Sequence, residues 1–583
     1  MASPNPPGRE LLMSQSSAQR ATVTLESTVE TDNEVEPIPA RIHGAQNVEL
    51  KDSAMYGGKG VFATKDIGEG GLVFSIQKPL LAIMGSHELK SVCDNCLAKV
   101  WLLKEPDLKL YSTPKFDMEL KTCAGCKVVD YCSRDCQKAA WKHHHKHECR
   151  VFVAVQGSER VTFGEKAARG NSIVTNLDFR MMIRMLVLYQ NNEISDAEWA
   201  ELMHFANARA SKVEQPDFKG ITKAMAVLLE KYTGKVLKRS KLLKLINTIR
   251  RRASDVYVPL MKGVNRSCEP LIHTTLSEVG AFFDPFVCLI KNACEANAWV
   301  VFESNELRFR ALRDIPAGTE LTISWHRGCL ADWDAHRSLL VESLDMDCNC
   351  VVFQNRGPGP APELIERLKK YDDDRVAEVD DADIFGEVLD TIKETKSAGF
   401  GTANGMYGLY KHAISGYISR RKTTDAVKHL LELYYVVGPA RVPRVYPHFR
   451  IDTLHNLLST LTVTISDRQL LITYPRPQEF EPLPAEVMKL VGEVGAGLHC
   501  KLVADTAKYL GEDSMAATFE NATLRDYLTN GQFGWAAACQ DPSKREYAEV
   551  TCNGALHNQY LESMKKLLEW FGIEGVGEDE ILA

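Results

Sequence analysis

Eight potential metal ligands lie between residues 93 and 149, the ligand segment, arranged as four pairs of cysteine or histidine. The pairs are, in chain order, Cys93 with Cys96, Cys123 with Cys126, Cys132 with Cys136, and His145 with Cys149. A structural zinc ion takes four such ligands in a tetrahedron, so this pattern predicts two closed zinc sites. The alternative is a chance cluster of buried thiols, which four ordered pairs in so short a segment make a poor explanation.

The histidine ligand must be chosen from four close neighbours, His143, His144, His145 and His147. His145 is chosen because three residues separate it from Cys149, an interval that suits two ligands of one ion. The segment is too short and polar to have a sizeable core of its own. Metal binding would therefore supply its folding free energy, about 10–16 kcal/mol per ion in comparable small domains.

The composition of the whole chain is that of a globular protein. Of its 583 residues, 45% are hydrophobic and 25% are charged, and the net charge is −7. An acidic total gives no general reason to expect nucleic-acid binding. The chain shows no secretory h-region and no apolar run long enough to span a bilayer. We expect reduced thiols and a location in the nucleus or the cytoplasm, without secretion or a transmembrane segment.

The strands that must position the ligand segment follow from short apolar runs and their turns. Residues 1–45 are rich in Ser, Thr, Pro and Glu and predict a disordered tail. Apolar runs bounded by turn residues then predict strands on both sides of the ligand segment. These runs are 61–64, 72–76, 299–302, 307–310 and 321–325.

Helical periodicity dominates the rest of the chain. It predicts helices over 179–189 and 221–232 and a basic helix over 235–252. The sequence Gly-Pro-Gly-Pro at 357–360 marks a linker. Beyond it, successive helices predict an α-helical bundle or solenoid-like array, at 362–371, 377–393, 425–437, 484–510 and 560–571.

The ligand segment resembles a MYND-type zinc finger, which also has residues like Tyr131 before Cys132 and Gln137 after Cys136. The resemblance implies that the two ions are cross-braced and that the finger binds a partner peptide. One ion would be held by Cys93, Cys96, Cys132 and Cys136, and the other by Cys123, Cys126, His145 and Cys149.

The flanking strands resemble the two parts of a SET domain. Residues 58–67 (Gly-Lys-Gly-Val-Phe-Ala-Thr-Lys-Asp-Ile) are similar to its opening, and residues 313–324 to its closing strand. Residues 294–297 fall where that family has the end of its Asn-His-Ser-Cys-x-Pro-Asn motif. A SET domain that is split by a MYND finger and followed by helices is the architecture of the SET and MYND domain (SMYD-like) proteins.

This resemblance implies an α+β fold, with a SET domain of small curled β-sheets, split by a zinc-bound MYND finger and followed by an α-helical C-terminal domain. The expected boundaries are a tail 1–45, the SET N-terminal part 46–92, the MYND finger 93–149, a helical SET insert 150–255, the SET core 256–325, a degenerate post-SET segment 326–356 and the C-terminal domain 357–583.

SET proteins of this kind transfer a methyl group from S-adenosylmethionine to a lysine amine, so the resemblance implies this cofactor and a protein substrate, for example a histone. The enzyme must align a neutral amine with the methyl group in a narrow channel. By resemblance, Lys59, Gly60, Asn265 and Asn292 would contact the cofactor. Gly60 would do so because a missing Cβ permits close backbone approach.

Two departures affect the catalytic motifs. The usual Asn-His reads Lys291-Asn292 here, which brings a long cation near the cationic sulfonium. Trp325 stands at the usual catalytic tyrosine, and no tyrosine lies between Val258 and Lys370. Indole can wall a lysine channel but has no hydroxyl. Loss of a preorganised polar group of this kind costs about 10²–10³ in rate.

The post-SET segment leaves a third zinc site open. Cys348 and Cys350 match the start of the family's CxC-x2-C pattern, but Phe353 stands at the third cysteine. With Cys294 this leaves three ligands, and Cys329 does not have the family's spacing for a fourth. Buried structural thiols are the alternative.

Three hypotheses for the function remain. The first is a protein-lysine methyltransferase that uses S-adenosylmethionine and carries a MYND finger for protein interaction. The second is a catalytically decayed scaffold that binds partner proteins, for example as a transcriptional regulator. The third places the basic helix on nucleic acid, although a solvated helix face explains its charges better.

Overall fold

The computed structural model describes most of the chain. The described ranges are 38–39, 41–54, 58–98, 119–170, 172–208, 216–259, 276–325, 341, 359–371, 381–401, 403, 405–441, 447–465, 483–514, 516–518 and 555–582. Within them, no helix combines the length and the apolar character that a membrane span requires.

Short strands lie before, within and after the ligand segment. The first group is Ile42–His43 (β1), Val48–Asp52 (β2), Lys59–Ala63 (β3), Leu72–Ile76 (β4) and Leu81–Met84 (β5). The ligand segment holds Lys121–Thr122 (β6) and Asp130–Tyr131 (β7). The last group is Ser254–Pro259 (β8), Leu276–Phe283 (β9), Lys291–Asn292 (β10), Ala298–Glu303 (β11), Glu306–Ala311 (β12) and Thr322–Ile323 (β13).

Helices fill the insert between the two strand groups and the C-terminal part. Arg134–Ala140 (α1) continues through a π-helical turn, Trp141–His145, into Lys146–Gly170 (α2). The insert adds Leu177–Gln190 (α3), Asp196–Ala208 (α4), Pro216–Thr233 (α5) and Arg239–Arg252 (α6). The C-terminal helices are Pro362–Lys370 (α7), Ala382–Ser397 (α8), Met406–Ser419 (α9), Thr423–Glu432 (α10), Gly438–Arg441 (α11), Pro447–Ile465 (α12), Ala485–Leu510 (α13), Ala555–Trp570 (α14) and Glu578–Leu582 (α15).

The strands on either side of the ligand segment pair directly with one another. One sheet has the order β1-β4-β12-β11 and another the order β5-β9-β8, and both are antiparallel. Two smaller pairs are β2 with β3, antiparallel, and β10 with β13, parallel. The predicted α+β architecture of small sheets, interrupted by a cysteine-rich insertion and followed by helices, is confirmed.

Strand β11 has a buried side chain on each face of its sheet. Ala298, Val300 and Phe302 belong to the core that joins the sheets, the ligand segment and the insert helices. Trp299 and Val301 belong to a second core, formed with the C-terminal helices. An apolar run without polar alternation is the pattern of a strand that is covered on both faces. The C-terminal helices therefore pack on the outer face of the main sheet.

Arginines on β12 tie this sheet to the C-terminal helices. Arg308 donates both terminal nitrogens to the carboxylate of Asp513, each at 2.9 Å. Arg310 donates to the carbonyl oxygen of Gly70 at 2.9 Å. The alternation of β12, with Leu307 and Phe309 buried, places its arginines on the opposite face.

The predicted disordered tail overlaps the first strand. Residues 42–43 pair with β4, and Arg41 donates to Asp284 at 2.9 Å and to Glu198 at 2.7 Å. Ile42 is buried in the core. Composition placed the end of the tail at residue 45, because composition does not report long-range contacts. A few such contacts are enough to order a short polar stretch. Residues 1–37 lie outside the described residues.

Two predicted elements are shorter than expected. The basic helix starts at Arg239 rather than at residue 235, because Gly234 has a left-handed φ of 77° that ends α5. The predicted strand 321–325 is limited to Thr322–Ile323. Beyond it, the backbone N–H of Trp325 donates to a side chain instead of to a strand partner.

Gly280 to alanine is expected to lower the free energy of unfolding by about 3 kcal/mol, the upper end for an overpacked core. A Cβ at Gly280 would collide with the carbonyl oxygen of Ile83 and lie 2.8 Å from Cα of Met84, so the backbone of β5 must move. The matched control is Gly386→Ala in α8, where a Cβ meets no atom within 4 Å. That control should raise stability by about 0.5–1 kcal/mol. Equal effects of the two variants in urea unfolding would contradict the prediction.

Candidate metal centres and candidate active site

The two Cys-x2-Cys loops of the ligand segment fold alike. In each, the residue after the second cysteine has a left-handed φ, 60° at Leu97 and 57° at Lys127. Its backbone N–H donates at 3.0 Å to the carbonyl of the first cysteine, from Leu97 to Cys93 and from Lys127 to Cys123. This tight turn brings the two thiols of each pair together, as a shared ion requires.

The remaining ligands come from β7, α1 and the helix that follows. Cys132 comes directly after β7, and Cys136 lies in the first turn of α1. The hydroxyl of Ser133 caps this helix and accepts from the backbone N–H of Cys136 at 3.1 Å. His145 and Cys149 stand four residues apart in continuous helix, so both lie on one face.

The eight ligand atoms form two clusters, and within each cluster all atoms lie within 4.8 Å of one another. The Sγ–Sγ distances are 3.6 Å for Cys96–Cys132, 3.4 Å for Cys132–Cys136 and 3.9 Å for Cys123–Cys149. Zn–S bonds of about 2.3 Å give a tetrahedral edge of about 3.8 Å, so the clusters have the size of zinc sites. Their members are Cys93, Cys96, Cys132 and Cys136 in one, and Cys123, Cys126, His145 and Cys149 in the other.

The thiols of the first cluster resist joint ionisation when no cation is bound. The hydrogen bond from Cys96 lowers the pKa of Cys93 to about 5, against the effect of burial. Burial and the charge of Cys93 raise the pKa of Cys132 to about 12. One thiolate therefore forms readily while its neighbour stays protonated. A divalent cation removes this repulsion, so these residues fit a zinc ion.

The environment of His145 identifies it as the histidine of the second cluster. Its Nε2 lies 3.3 Å from Cys123 Sγ and 3.7 Å from Cys126 Sγ. Its Nδ1 lies 3.6 Å from Glu148 Oε2. A carboxylate behind a ligating histidine orients the ring and selects its tautomer. His143 instead lies at the surface, 3.3 Å from Glu193.

Two buried arginines on α3 reach into the ligand segment. Arg184 donates to Glu148 Oε1 at 2.6 Å and to Asp94 Oδ2 at 2.8 Å. Arg180 donates to Asp94 Oδ1 at 2.9 Å and to the carbonyl oxygen of Met84 at 2.6 Å. All four charged side chains are buried. We refer to Asp94, Glu148, Arg180 and Arg184 as the buried ion network.

The buried ion network connects both clusters to the sheets. Asp94 lies between the ligands Cys93 and Cys96, and Glu148 backs the ligand His145. Arg180 in turn holds the end of β5. Sequence reasoning treated 179–189 as an apolar helix and missed this network. The available signal was a pair of arginines four residues apart within that apolar run, because buried charges need partners.

The glycine turn predicted for cofactor contact lies at the start of β3. Gly58 has a left-handed φ of 64°. Lys59 pairs with Asp52 at 3.1 Å on the surface. A Cβ at Gly60 would collide with Oε1 of Glu320 and lie 3.1 Å from its Cδ. The space beside Gly60 is thus taken by a carboxylate of this chain, a reason for glycine that the sequence does not reveal.

Asn292, the last residue of β10, contacts Trp325, which lies two residues after the end of β13. Asn292 Oδ1 accepts from the backbone N–H of Trp325 at 3.1 Å. The indole Nε1–H of Trp325 donates to the carbonyl oxygen of Ile290 at 3.0 Å. Both N–H groups of Trp325 are therefore used within the chain.

Asn297 is a structural residue that the candidate site residues did not include. It exchanges hydrogen bonds with Thr322, whose backbone N–H donates to Asn297 Oδ1 at 2.8 Å. Its Nδ2 donates to the carbonyl oxygen of Glu320 at 2.8 Å. The signal was its place at the end of the motif 294–297, where an amide can bridge two crossing chain segments.

Some predicted site residues lie outside the described residues. These are Asn265, Cys348 and Cys350. Cys294, described and half-buried, cannot be related to them. The cofactor contact of Asn265, the third zinc site and the domain boundaries stay predictions.

Known proteins resemble this chain over about half of its length. Residues 58–326 match the family model described as SET domain. The histone-lysine N-methyltransferase ASHR1 of Arabidopsis thaliana is 24% identical over 305 residues, 52% of this chain and 54% of that protein. The histone-lysine N-methyltransferase SMYD3 of Homo sapiens is 24% identical over 299 residues, 51% and 60% of the two chains.

A further relative is named for both a SET domain and a MYND-type zinc finger. The SET domain and MYND-type zinc finger protein 6 of Schizosaccharomyces pombe is 22% identical over 270 residues, 46% of this chain and 44% of that protein. The matches thus span about half the length of these curated relatives.

Proposed function

Because this chain is a SET and MYND domain protein, we propose that it is a protein-lysine methyltransferase that uses S-adenosylmethionine. The supporting observation is that β3 pairs with the segment that leads into β13, and that β13 pairs with β10. The backbone N–H of Leu321 donates to the carbonyl of Val61 at 2.7 Å, which joins segments separated by the whole insertion. This pairing brings the Gly58–Gly60 turn beside the closing strand.

Of the residues expected to contact the cofactor, Lys59, Gly60 and Asn292 lie in the described part of the chain. The cofactor supplies an electrophilic methyl group, and the chain need not activate it. The task of the chain is to align a neutral lysine amine with that methyl group and to exclude water. Trp325, at the end of β13, would offer its aromatic face to the amine.

Trp325→Tyr is expected to raise kcat for methyl transfer to histone peptides by about 10²-fold, within the range for a regained polar group. The reason is that the indole N–H of Trp325, its only polar side-chain group, is already bonded to Ile290, so this side chain offers the amine no donor or acceptor. Radiolabelled methyl transfer under single-turnover conditions measures the change.

Trp325→Phe is the matched control for this prediction. It removes the bond to Ile290, as tyrosine does, but adds no hydroxyl. Its rate should not exceed that of the wild type. A wild-type rate already equal to that of Trp325→Tyr would show that the hydroxyl is dispensable.

The competing function is a scaffold of the same fold without catalysis, and the indole of Trp325, which has no hydroxyl and whose N–H is bonded to Ile290, favours it. Calorimetry of the zinc-loaded chain with S-adenosylmethionine separates the two functions. Saturable binding supports the transferase. Absence of heat at millimolar cofactor would leave the scaffold as the function.

The ligand segment would carry two zinc ions and bind a partner peptide in either case. We place the protein in the nucleus or the cytoplasm.

A further inference from the structure

Glu320 lies where the closing strand meets the glycine turn. It forms an antiparallel bridge with Phe62, and the carbonyl of its backbone accepts from Asn297. Its side chain extends to β3, because a Cβ at Gly60 would collide with Oε1 and lie 3.1 Å from Cδ. The backbone of Glu320 is thus held on two sides while its carboxylate lies against the predicted cofactor turn.

The carboxylate oxygen beside Gly60 lacks a hydrogen-bond donor among the described residues. Oε1 of Glu320 is buried, and in the described part of the chain it accepts no hydrogen bond. The adjacent cation, Lys59, is engaged with Asp52 at 3.1 Å on the surface. Glu320 itself is half-buried, and one oxygen of its carboxylate is shielded from water without a hydrogen-bond donor. A shielded oxygen without a partner is unfavourable, and a ligand that supplies a donor or a positive charge would satisfy it.

We propose that Glu320 is a positioning residue of the cofactor pocket, whose carboxylate stabilises the positive sulfonium end of S-adenosylmethionine. This inference rests on the proposed function and deepens it. The product, S-adenosylhomocysteine, has a neutral thioether at the same place and would gain less from the carboxylate. Glu320 therefore favours the charged cofactor over the spent one and assists product release.

Glu320 also bears on the departure at Lys291. A lysine in the main motif is a cation near a cationic cofactor, and Lys291 is buried opposite Thr322, two residues beyond Glu320. An anionic side chain on the same strand segment offsets that unfavourable charge. The charges of Lys291 and Glu320 are then complementary.

Calorimetry of the zinc-loaded full chain tests the role, with S-adenosylmethionine and S-adenosylhomocysteine as separate ligands. Glu320→Gln keeps the shape of the side chain and removes its charge. We expect it to weaken binding of S-adenosylmethionine by about 10- to 100-fold, the range for a hydrogen bond or contact with a charged group. Binding of S-adenosylhomocysteine should weaken less than threefold.

Thermal unfolding without ligand provides a second readout. Glu320→Gln removes the charge from a half-buried carboxylate whose Oε1 has no donor, so its Tm should equal or exceed that of the wild type. Glu320→Asp keeps the charge and should keep the preference for the charged ligand. If Glu320→Gln does not fold, Glu320→Asp provides the test of ligand preference instead. Glu49→Gln, on the neighbouring strand β2, controls for general charge because Glu49 pairs with Lys51.

The outcomes are distinguishable. No binding of either ligand by the wild type overturns the proposed function and the role of Glu320 with it. Binding by the wild type, with equal losses for both ligands or no loss in Glu320→Gln, overturns the role of Glu320 alone. A higher Tm with unchanged binding would assign Glu320 to a purely structural place.

Discussion

Replacing Arg184 by methionine is expected to lower the free energy of unfolding by about 3–5 kcal/mol, the usual cost of removing one partner from a buried ion pair. Methionine has a similar length and no charge, so the packing of α3 is preserved. The variant leaves Glu148 without its arginine and Asp94 with Arg180 alone. We expect this to be the most damaging single change away from the metal ligands.

The charge states of the two carboxylates explain the size of the effect. Burial alone would raise the pKa of Asp94 and of Glu148, but Arg184 and His144 hold both pKa values well below their usual range. Both groups are therefore ionised in the folded protein at neutral pH. Without Arg184, the protein must either bury an uncompensated charge or take up a proton.

Urea unfolding measures the change, with Arg250→Met on α6 as the matched control. Arg250 pairs with Asp178 at 2.8 Å near the surface, and its loss should cost about 1 kcal/mol or less. Arg184→Lys should lie between the two, because lysine keeps the charge but not the planar fork that reaches two carboxylates. A loss for Arg184→Met no larger than for Arg250→Met would contradict a structural role of the buried ion network.

Removing one zinc ligand is the second large effect. Cys126→Ala should empty the second cluster and unfold the ligand segment, since zinc contributes about 10–16 kcal/mol in small domains. That contribution is as large as the total stability of a typical domain, about 5–15 kcal/mol. The loss should spread to β5 and α3, because Glu148 and Asp94 join the ligand segment to them.

Metal analysis and hydrogen exchange test this expectation together. The wild type should hold two zinc ions in the two clusters, and a third ion would indicate that the post-SET cysteines also bind. Cys126→Ala should lose about one ion per chain and the exchange protection of β5. Cys500→Ala, a buried cysteine of α13, should lose neither. Full protection of β5 in metal-free protein would show that the clusters do not support the sheets.

Local pattern was enough to predict much of this chain. The cysteine and histidine spacing indicated four ligand pairs and hence two sites, since two ligands from one loop or helical turn lie a few residues apart. The resemblance to a MYND finger then predicted which pairs share an ion, and the two clusters have that composition. The apolar runs 299–302 and 307–310 predicted strands β11 and β12, because an apolar run bounded by turn residues is a local pattern. Helical periodicity likewise located α3 within two residues at its start. The resemblance to SET and MYND domain proteins, carried by the order of these motifs, was confirmed by the comparisons.

Tertiary structure alone decided the contacts between distant segments. The arginines of α3 interrupt an apolar helix, and the sequence does not indicate their partners. The structure pairs them with Asp94 and Glu148 of the ligand segment. The sequence predicts that Gly60 contacts the cofactor, and the structure adds that its missing Cβ makes room for Glu320, 260 residues later. Residue spacing and hydrophobic periodicity predict local structure, over about one turn or one strand. Which charge faces which carboxylate depends on how the strands cross, and only the folded chain contains that information.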